Sequence, residues 1–270
     1  MLSPDYAPAS TNEALIAGLA VVLGLMIVLW LVSLRLRDAS LVDRFWGAGF
    51  VLLGWVYWVS AGLPAAGLIM VIPVTLWGVR LSVHLSWRNW GHGEDYRYRE
   101  MRQTHGDRFP WISLWTVFIL QGGLMWLIAL PVFAGARAHE EPAIWLAVPG
   151  LLLWATGLIW EAVADAQLAR FRALPANRGK VLDSGLWRYS RHPNYFGEIL
   201  VWLGLFLIAA ASGAWWSLFG TALMIFLILR VSGVTLLERK LFRSRPEYRS
   251  YVARTNALIP GPPKTDRGSP

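Results

Sequence analysis

The chain has 270 residues, 56% of them hydrophobic and only 16% charged, with 17 tryptophans and a mean hydropathy of +0.44. That balance excludes an ordinary soluble domain and points to an integral membrane protein. The net charge of +8 does not signal nucleic acid, because the basic residues lie in short segments between apolar stretches, where the positive-inside rule puts them; the lack of cysteine removes disulfides, thiolate catalysis and Cys-ligated metal centres.

In chain order, apolar stretches fall at 12–34, 45–62, 66–86, 112–134, 143–163, 198–211 and 213–236, to be judged against the roughly 20 residues a helix needs to cross a bilayer. They predict an all-α fold, a polytopic membrane helix bundle of about seven transmembrane helices. The sixth stretch is short and is joined to the seventh only by Ala211-Ser212-Gly213-Ala214, so the pair reads as two spans or as a tight, partly re-entrant hairpin. The first follows Asp5 and Glu13, acidic where a signal peptide would be basic, and is kept as a helix. With alternating orientation, the Lys and Arg residues other than Arg137 fall on or near one side. The expected topology has the N-terminus outside and the C-terminus cytosolic. Residues 1–260 read as one membrane domain, and 261–270, from Gly261-Pro262-Pro263 onward, as a disordered tail. Trp55, Trp58, Trp87, Trp90 and Trp111 stand near span ends and read as interfacial anchors.

Nearly all the polar content lies in three segments, Arg35 to Arg44, Arg88 to Arg108 and Asp165 to Glu198, and in a basic tail from Arg239 to Arg267. In the first, Asp43 opens the second span, where it could be a protonatable group with a raised pKa; by the residues alone the reading as a carboxylate favoured by a helix N-terminus prevails. The second segment contains His92 and His105, with His84 just before it. No pair has the i,i+4 spacing of a helical zinc motif, so no metal site is expected. Glu161 and Asp165, four apart at the end of the fifth span, share a helix face, with Arg172 and Asn177-Arg178-Gly179-Lys180 following.

The run Gly185-Leu186-Trp187-Arg188-Tyr189-Ser190-Arg191-His192-Pro193-Asn194-Tyr195-Phe196-Gly197-Glu198 presses hydrogen-bonding and ionisable groups against the apolar stretch that follows. Pro193 suits the first turn of a helix, with His192 or Ser190 near the cap. Asn194 and Glu198 then lie one turn apart, and an ionisable group at the start of a span marks a functional site by default. Arg230 lies about two turns inside the last span and should face a polar cavity or a carboxylate, Glu198 and Glu161 being candidates. Arg80, nearer a span end, can reach the interface. No GxGxxG in a strand–helix setting, phosphate-binding loop or GxSxG elbow is present, so a dinucleotide would not be held by a Rossmann fold.

These residues resemble the membrane steroid 5α-reductase (3-oxo-5α-steroid 4-dehydrogenase) family, specifically its bacterial branch of unassigned function. The likeness is carried by Gly185 to Glu198 with Trp202, by Asp165 with Arg172, by Arg230, and by the tail from Leu237-Glu238-Arg239-Lys240 through Arg245-Pro246-Glu247-Tyr248 to Leu258-Ile259-Pro260. Ser40 to Gly47, Leu76 to Leu81 and Gly93-Glu94-Asp95-Tyr96-Arg97-Tyr98 match the bacterial branch. The resemblance implies a seven-helix bundle that binds NADPH from the cytosolic side and reduces the carbon–carbon double bond of an enone in a lipid-like small molecule, a steroid or other isoprenoid, within membrane lipid. It places Asp165, Arg172, Lys180, His192, Asn194, Tyr195, Glu198 and Arg230 around the cofactor, with Glu198 also in the catalytic set. Guanidinium and ammonium groups suit phosphates, and amides or carboxylates can orient nicotinamide or ribose.

The family's catalytic glutamate and tyrosine, which polarise the carbonyl and supply a proton, align with Asp43 and Trp77. An indole is no useful acid, so Asp43 is the catalytic candidate and the proton donor stays open, with Tyr57 and His84 as possible helpers. Arg-His-Pro-x-Tyr-x-Gly with the tail also resembles membrane methyltransferases of the isoprenylcysteine and phospholipid type, which bind S-adenosylmethionine. Those show paired glutamates where this chain has Glu238-Arg239.

Overall fold

The computed structural model describes residues 7–231, 247–264 and, between them, Val234, Glu238, Leu241, Phe242 and Arg245. Every regular element among the described residues is helical, as the hydropathy pattern requires. Five helices are long and apolar enough to cross a membrane: Thr11–Leu36, Ala65–Arg88, Tyr96–Ile128, Ile144–Ala173 and Pro193–Ala211. Trp46–Ser60 and Trp215–Val231 are shorter apolar helices.

The chain opens with α1 (Thr11–Leu36), started by a capping box in which the Ser10 hydroxyl accepts from the Glu13 N–H while the Glu13 carboxylate accepts from Ser10. It ends at Arg37 in the left-handed conformation. A short α2 (Leu41–Arg44) carries Asp43 into α3 (Trp46–Ser60), and α4 (Leu68–Arg88) returns. Next come α5 (Tyr96–His105), α6 (Phe109–Ser113), a π-helical turn at Leu114–Ile119, α7 (Leu120–Ile128) and α8 (Leu130–Ala136). Then follow α9 (Ile144–Ala173), α10 (Pro193–Ala211), α11 (Leu218–Phe226) with a π-helical end at Leu227–Val231, and α12 (Tyr248–Arg254).

Two boundaries differ from expectation. The polar segment Arg88 to Arg108, whose stretch from Gly91 to Tyr98 was expected as a loop, is helical from Tyr96, because Asp95 caps α5 by accepting from the Arg97 N–H. The fifth span, expected at 143–163, continues to Ala173 and carries Glu161 and Asp165 on regular helix. The sixth helix starts at Pro193, as the proline indicated, five residues before the apolar stretch; it runs to 19 residues and carries Asn194 and Glu198 in its first two turns.

The described residues form two compact units. One holds those up to Val148 together with Leu205–Gly220, the other Pro149–Gly204 with those from Thr221 onward. In the first, α3 and α4 meet where Gly47 and Gly78 pack backbone to backbone, each lying where a Cβ would strike the other's carbonyl. In the second, α9 and α10 cross at Gly157 and Gly197; a Cβ on Gly197 would sit 2.6 Å from the Glu161 nitrogen and 2.7 Å from the Gly157 oxygen. Small residues of this kind let membrane helices approach by van der Waals packing where no hydrophobic drive operates between them. Of the tail expected to be disordered, Gly261 donates to the Tyr189 carbonyl and Lys264 to the Arg254 carbonyl; residues 265–270 lie outside the described residues.

Candidate functional site

In the second unit the close α9–α10 crossing sets the polar end of each helix against the other. Glu161 is 3% and Asp165 7% exposed, so both carboxyl groups lie inside the protein rather than on a solvated helix end. Asn194, in the first turn of α10, donates its amide to Asp165 Oδ1 at 3.2 Å. The segment before α10 is tied to the same part of α9. Gln167 Oε1 accepts from the Leu186 N–H at 2.9 Å, and the Trp187 indole donates to the Ala164 carbonyl at 3.1 Å.

The His192–Pro193 step then starts α10. The Ser190 hydroxyl accepts from the His192 N–H at 3.1 Å and donates to the Leu258 carbonyl at 2.7 Å, while the His192 carbonyl accepts from Phe196. Both Ser190 and His192 therefore serve the cap. Glu238 gathers the next layer: its Oε1 accepts from Arg191 Nε at 2.8 Å, lies 3.2 Å from His192 Nε2 and 3.4 Å from the Tyr248 hydroxyl. Arg191 also donates to the Thr255 carbonyl at 2.7 Å, and Tyr251 donates to the Trp187 carbonyl at 2.5 Å. The Tyr195 ring stacks on His192 at 5.6 Å between centroids, 16° from parallel. Burial pushes the Tyr248 and Tyr251 hydroxyls above the ordinary phenol range, keeping them protonated donors.

Burial opposes ionisation of Glu238, but hydrogen bonds from His192 and Arg191 and the Arg191 charge outweigh it and hold the carboxyl at about 2. A carboxyl depressed in the folded state adds stability above its ordinary pKa of 4.5, and that stability is lost as pH falls toward 2. In detergent the melting temperature should therefore fall between pH 4.5 and 2 through this group. Asp43, raised in the fold, acts in the opposite sense. The Glu238 share is isolated by comparison with Glu238→Gln, whose melting curve should decline less over that window; parallel declines would contradict it.

The remaining candidates of this unit are placed differently. Arg172, Lys180 and Arg230 are exposed, Arg172 following Asp165 by two turns on α9, Lys180 beyond the left-handed Gly179, and Arg230 in the π-helical end of α11. Arg230 was expected to face a cavity or a carboxylate; its side chain stands on the exposed surface. Glu198 and Tyr195 are half-buried on α10. The structure thus links Asp165 to Asn194 and His192 to Tyr195, and adds Glu238, for which the sequence offered only its place in the tail motif.

The first unit holds the other cluster. Asp43 accepts from Arg97 Nη2 at 2.7 Å and from the Tyr98 hydroxyl at 2.9 Å, and Gln121 donates to that hydroxyl at 3.4 Å. The turn before α2 is latched to the same helix, since Glu94 accepts from Ala39 N–H at 2.8 Å and from Arg102 at 2.8 Å. Burial raises the Asp43 carboxyl above the usual range, against the lowering effect of Arg97 and Tyr98. Trp77 is fully buried against Phe50 and belongs to the core. Tyr57 is also fully buried, edge-on to Phe133, with no hydrogen-bond partner for its hydroxyl among the described residues. His84 lies beside Trp87, at 6.4 Å between ring centroids. The phenol that meets Asp43 is Tyr98, 7% exposed, a residue of the Gly93 to Tyr98 motif to which the sequence assigned no role. A groove of about 410 Å³ opens beside these helices, lined by Arg44, Phe45, Ala48, Ser82, Val83 and Trp87 among others. Among the described residues no group of three His, Asp or Glu side chains is arranged to hold a metal ion.

Two curated relatives frame these clusters. An uncharacterized protein of Schizosaccharomyces pombe is 29% identical over 267 residues, covering 86% of this chain and 76% of its own. A protein of Ustilaginoidea virens named as the probable O-methyltransferase ustE is 35% identical over 94 residues, 33% of this chain and 31% of its own. No solved structure matches. The family described as "Protein of unknown function (DUF1295)" matches residues 29–255, a range that takes in both clusters, and this integral membrane protein belongs to that steroid 5α-reductase-like membrane family.

Proposed function

We propose that the protein is an NADPH-dependent membrane reductase that adds hydrogen across the carbon–carbon double bond of a lipid-like enone. The observation that carries this reading is the polar cluster at the start of α10, where Asn194 meets Asp165, His192 meets Glu238, and one buried atom is left over. His192 Nδ1 is buried and has no hydrogen-bond partner among the described residues. An orphaned polar atom in a low-dielectric setting is costly, and a nucleotide can satisfy it.

The residues suit NADPH. Asn194, Asp165, Glu198 and His192 offer the hydrogen-bonding groups that carboxamide and ribose need, Tyr195 an aromatic face, and Arg172, Lys180 and Arg230 exposed cations for phosphates. When bound, NADPH supplies the hydride that one alkene carbon accepts, and the other carbon takes a proton. The first unit, by itself, holds an acid pair: burial raises the Asp43 carboxyl, which accepts from the Tyr98 phenol. The groove beside Phe45 and Trp87 lies within the size range of about 300–1,000 Å³ in which small molecules bind, and would accept hydrocarbon. Arg35, Arg37, Arg44 and the basic residues after Asp165 would face the cytosol of a bacterial cell, with the N-terminus outside.

A second reading has its own support. The 94-residue likeness to a probable O-methyltransferase favours an S-adenosylmethionine-dependent membrane methyltransferase. The two part on a single measurement, the melting temperature of the purified protein in detergent with each cofactor. NADPH should raise it, by about 2.7 kcal/mol of stabilisation at a hundred times Kd, and S-adenosylmethionine should not. Arg172→Ala and Arg230→Ala should each weaken the NADPH effect while leaving the unliganded melt in place. Stabilisation by S-adenosylmethionine alone would overturn the reductase reading.

A further inference from the structure

The geometry around Glu238 points to a positioning role: we propose that Glu238, by accepting from the Nε2–H of His192, fixes the imidazole tautomer that turns a bare Nδ1 to the nucleotide cofactor. The Nδ1 lone pair then accepts from a hydroxyl or an amide N–H of that cofactor. This rests on the reductase reading above and adds to it Glu238 as the residue that sets the tautomer.

Glu238 Oε1 already accepts from Arg191 Nε at 2.8 Å and lies 3.4 Å from the Tyr248 hydroxyl, itself a donor. A carboxylate so placed is an acceptor only, so at 3.2 Å from His192 Nε2 it requires the proton on that nitrogen. Whether Nδ1 also carries a proton follows from charge. Arg191, 10% exposed on its side chain, already neutralises Glu238, and His192 is 1% exposed. A second cation would be buried without a counter-charge of its own, which costs more than a neutral ring. Among the described residues the imidazole meets Glu238 and Tyr195, with Arg191 and Tyr248 reached through Glu238, and of these four only Glu238 carries a negative charge. Nδ1 is therefore an acceptor, and an acceptor in need of a donor.

That need selects chemistry. Phosphate oxygens at neutral pH only accept, so Nδ1 does not meet the diphosphate; a ribose hydroxyl or the carboxamide N–H does. The ring is held for this contact from three sides: the backbone N–H by Ser190, the ring face by Tyr195, and Nε2 by Glu238. Water does not reach Nδ1 in this state. Loading thus involves a small shift of neighbouring side chains, of the kind common at binding sites.

The test uses the full-length protein in detergent, labelled with nitrogen-15 histidine. The five histidines in the chain are told apart with His192→Gln. In the unliganded protein His192 should show a protonated Nε2 and a bare Nδ1, and saturating NADPH should shift the Nδ1 resonance while leaving Nε2 in place. Glu238→Ala should mix the tautomers and weaken NADPH binding about five- to tenfold, the scale of one hydrogen bond. Glu238→Gln, whose side-chain oxygen still accepts, should stay within about twofold and rescue the tautomer. A protonated Nδ1, or an Nδ1 resonance unmoved by bound NADPH, overturns the proposal while leaving the reductase reading intact. Failure of the wild-type protein to bind NADPH overturns both.

Discussion

Gly197→Val should unfold or severely destabilise the second unit and abolish binding of any cofactor there. A Cβ at this position would lie 2.6 Å from the Glu161 nitrogen, 2.7 Å from the Gly157 oxygen and 2.9 Å from the Glu161 Cα, and all three are backbone atoms of α9. No rotamer change relieves a clash with backbone, so the helices must separate. Overpacking a side chain into a tight core costs about 1–3 kcal/mol, and a forced helix displacement lies at or beyond the upper end. The displacement would also draw Asn194 away from Asp165, a contact now at 3.2 Å. The melting temperature of Gly197→Val and the smaller Gly197→Ala, each compared with wild type, measures this; an unaltered melt for both would mean that α9 and α10 are not packed this closely. Gly24, on α1, is the control, because a Cβ there meets nothing within 4 Å and Gly24→Ala should be tolerated.

Arg191→Ala should be the most damaging single change among the polar residues. It removes the 2.8 Å partner of Glu238 and the donor to the Thr255 carbonyl at 2.7 Å, leaving a carboxylate and a carbonyl to be satisfied otherwise. Removing one partner of a buried pair costs about 3–5 kcal/mol. Glu238 is 19% exposed on its side chain, so some solvent relief places the loss toward the lower end of that range. Arg191→Lys restores the charge but not both directions of donation, since Nε and Nη1 of the guanidinium serve different acceptors, and should recover only part of the stability. The carboxyl of Glu238 should meanwhile rise from about 2 toward its ordinary value, because the cation that lowers it is gone. Chemical denaturation of the three proteins in detergent checks the order wild type, Arg191→Lys, Arg191→Ala; equal midpoints would remove Arg191 from the account of the fold.

Much of the architecture was legible in the residues because hydropathy and length act locally. A stretch such as 12–34 has no stable place outside a bilayer or a large core, and its helix, Thr11–Leu36, lies where composition put it. The Gly185 to Glu198 run was visible for the same reason, a dense polar patch set against an apolar helix, and Pro193 marked the start of that helix. Asp165 and Asn194 were both chosen, and they touch. Helix extents were less legible where polar residues continue a helix, as over Tyr96–His105 and the last turns of α9, since periodicity in hydropathy fades there while backbone hydrogen bonding does not.

Partnerships across the chain were beyond local reading. Tyr98 meets Asp43 from 55 residues away, and Glu238 meets His192 from 46 away. Neither pairing follows from spacing, because each depends on where separate helices bring their ends. Sequence by itself determined that the protein is helical, membrane-spanning and free of cysteine chemistry, and that its ionisable residues gather at the span ends, all consequences of which side chains tolerate lipid. Only the tertiary structure decided which of those residues are joined: backbone crossings at Gly47–Gly78 and Gly157–Gly197 fix helix positions, and hydrogen bonds, which act over about 3 Å, form only between groups so placed.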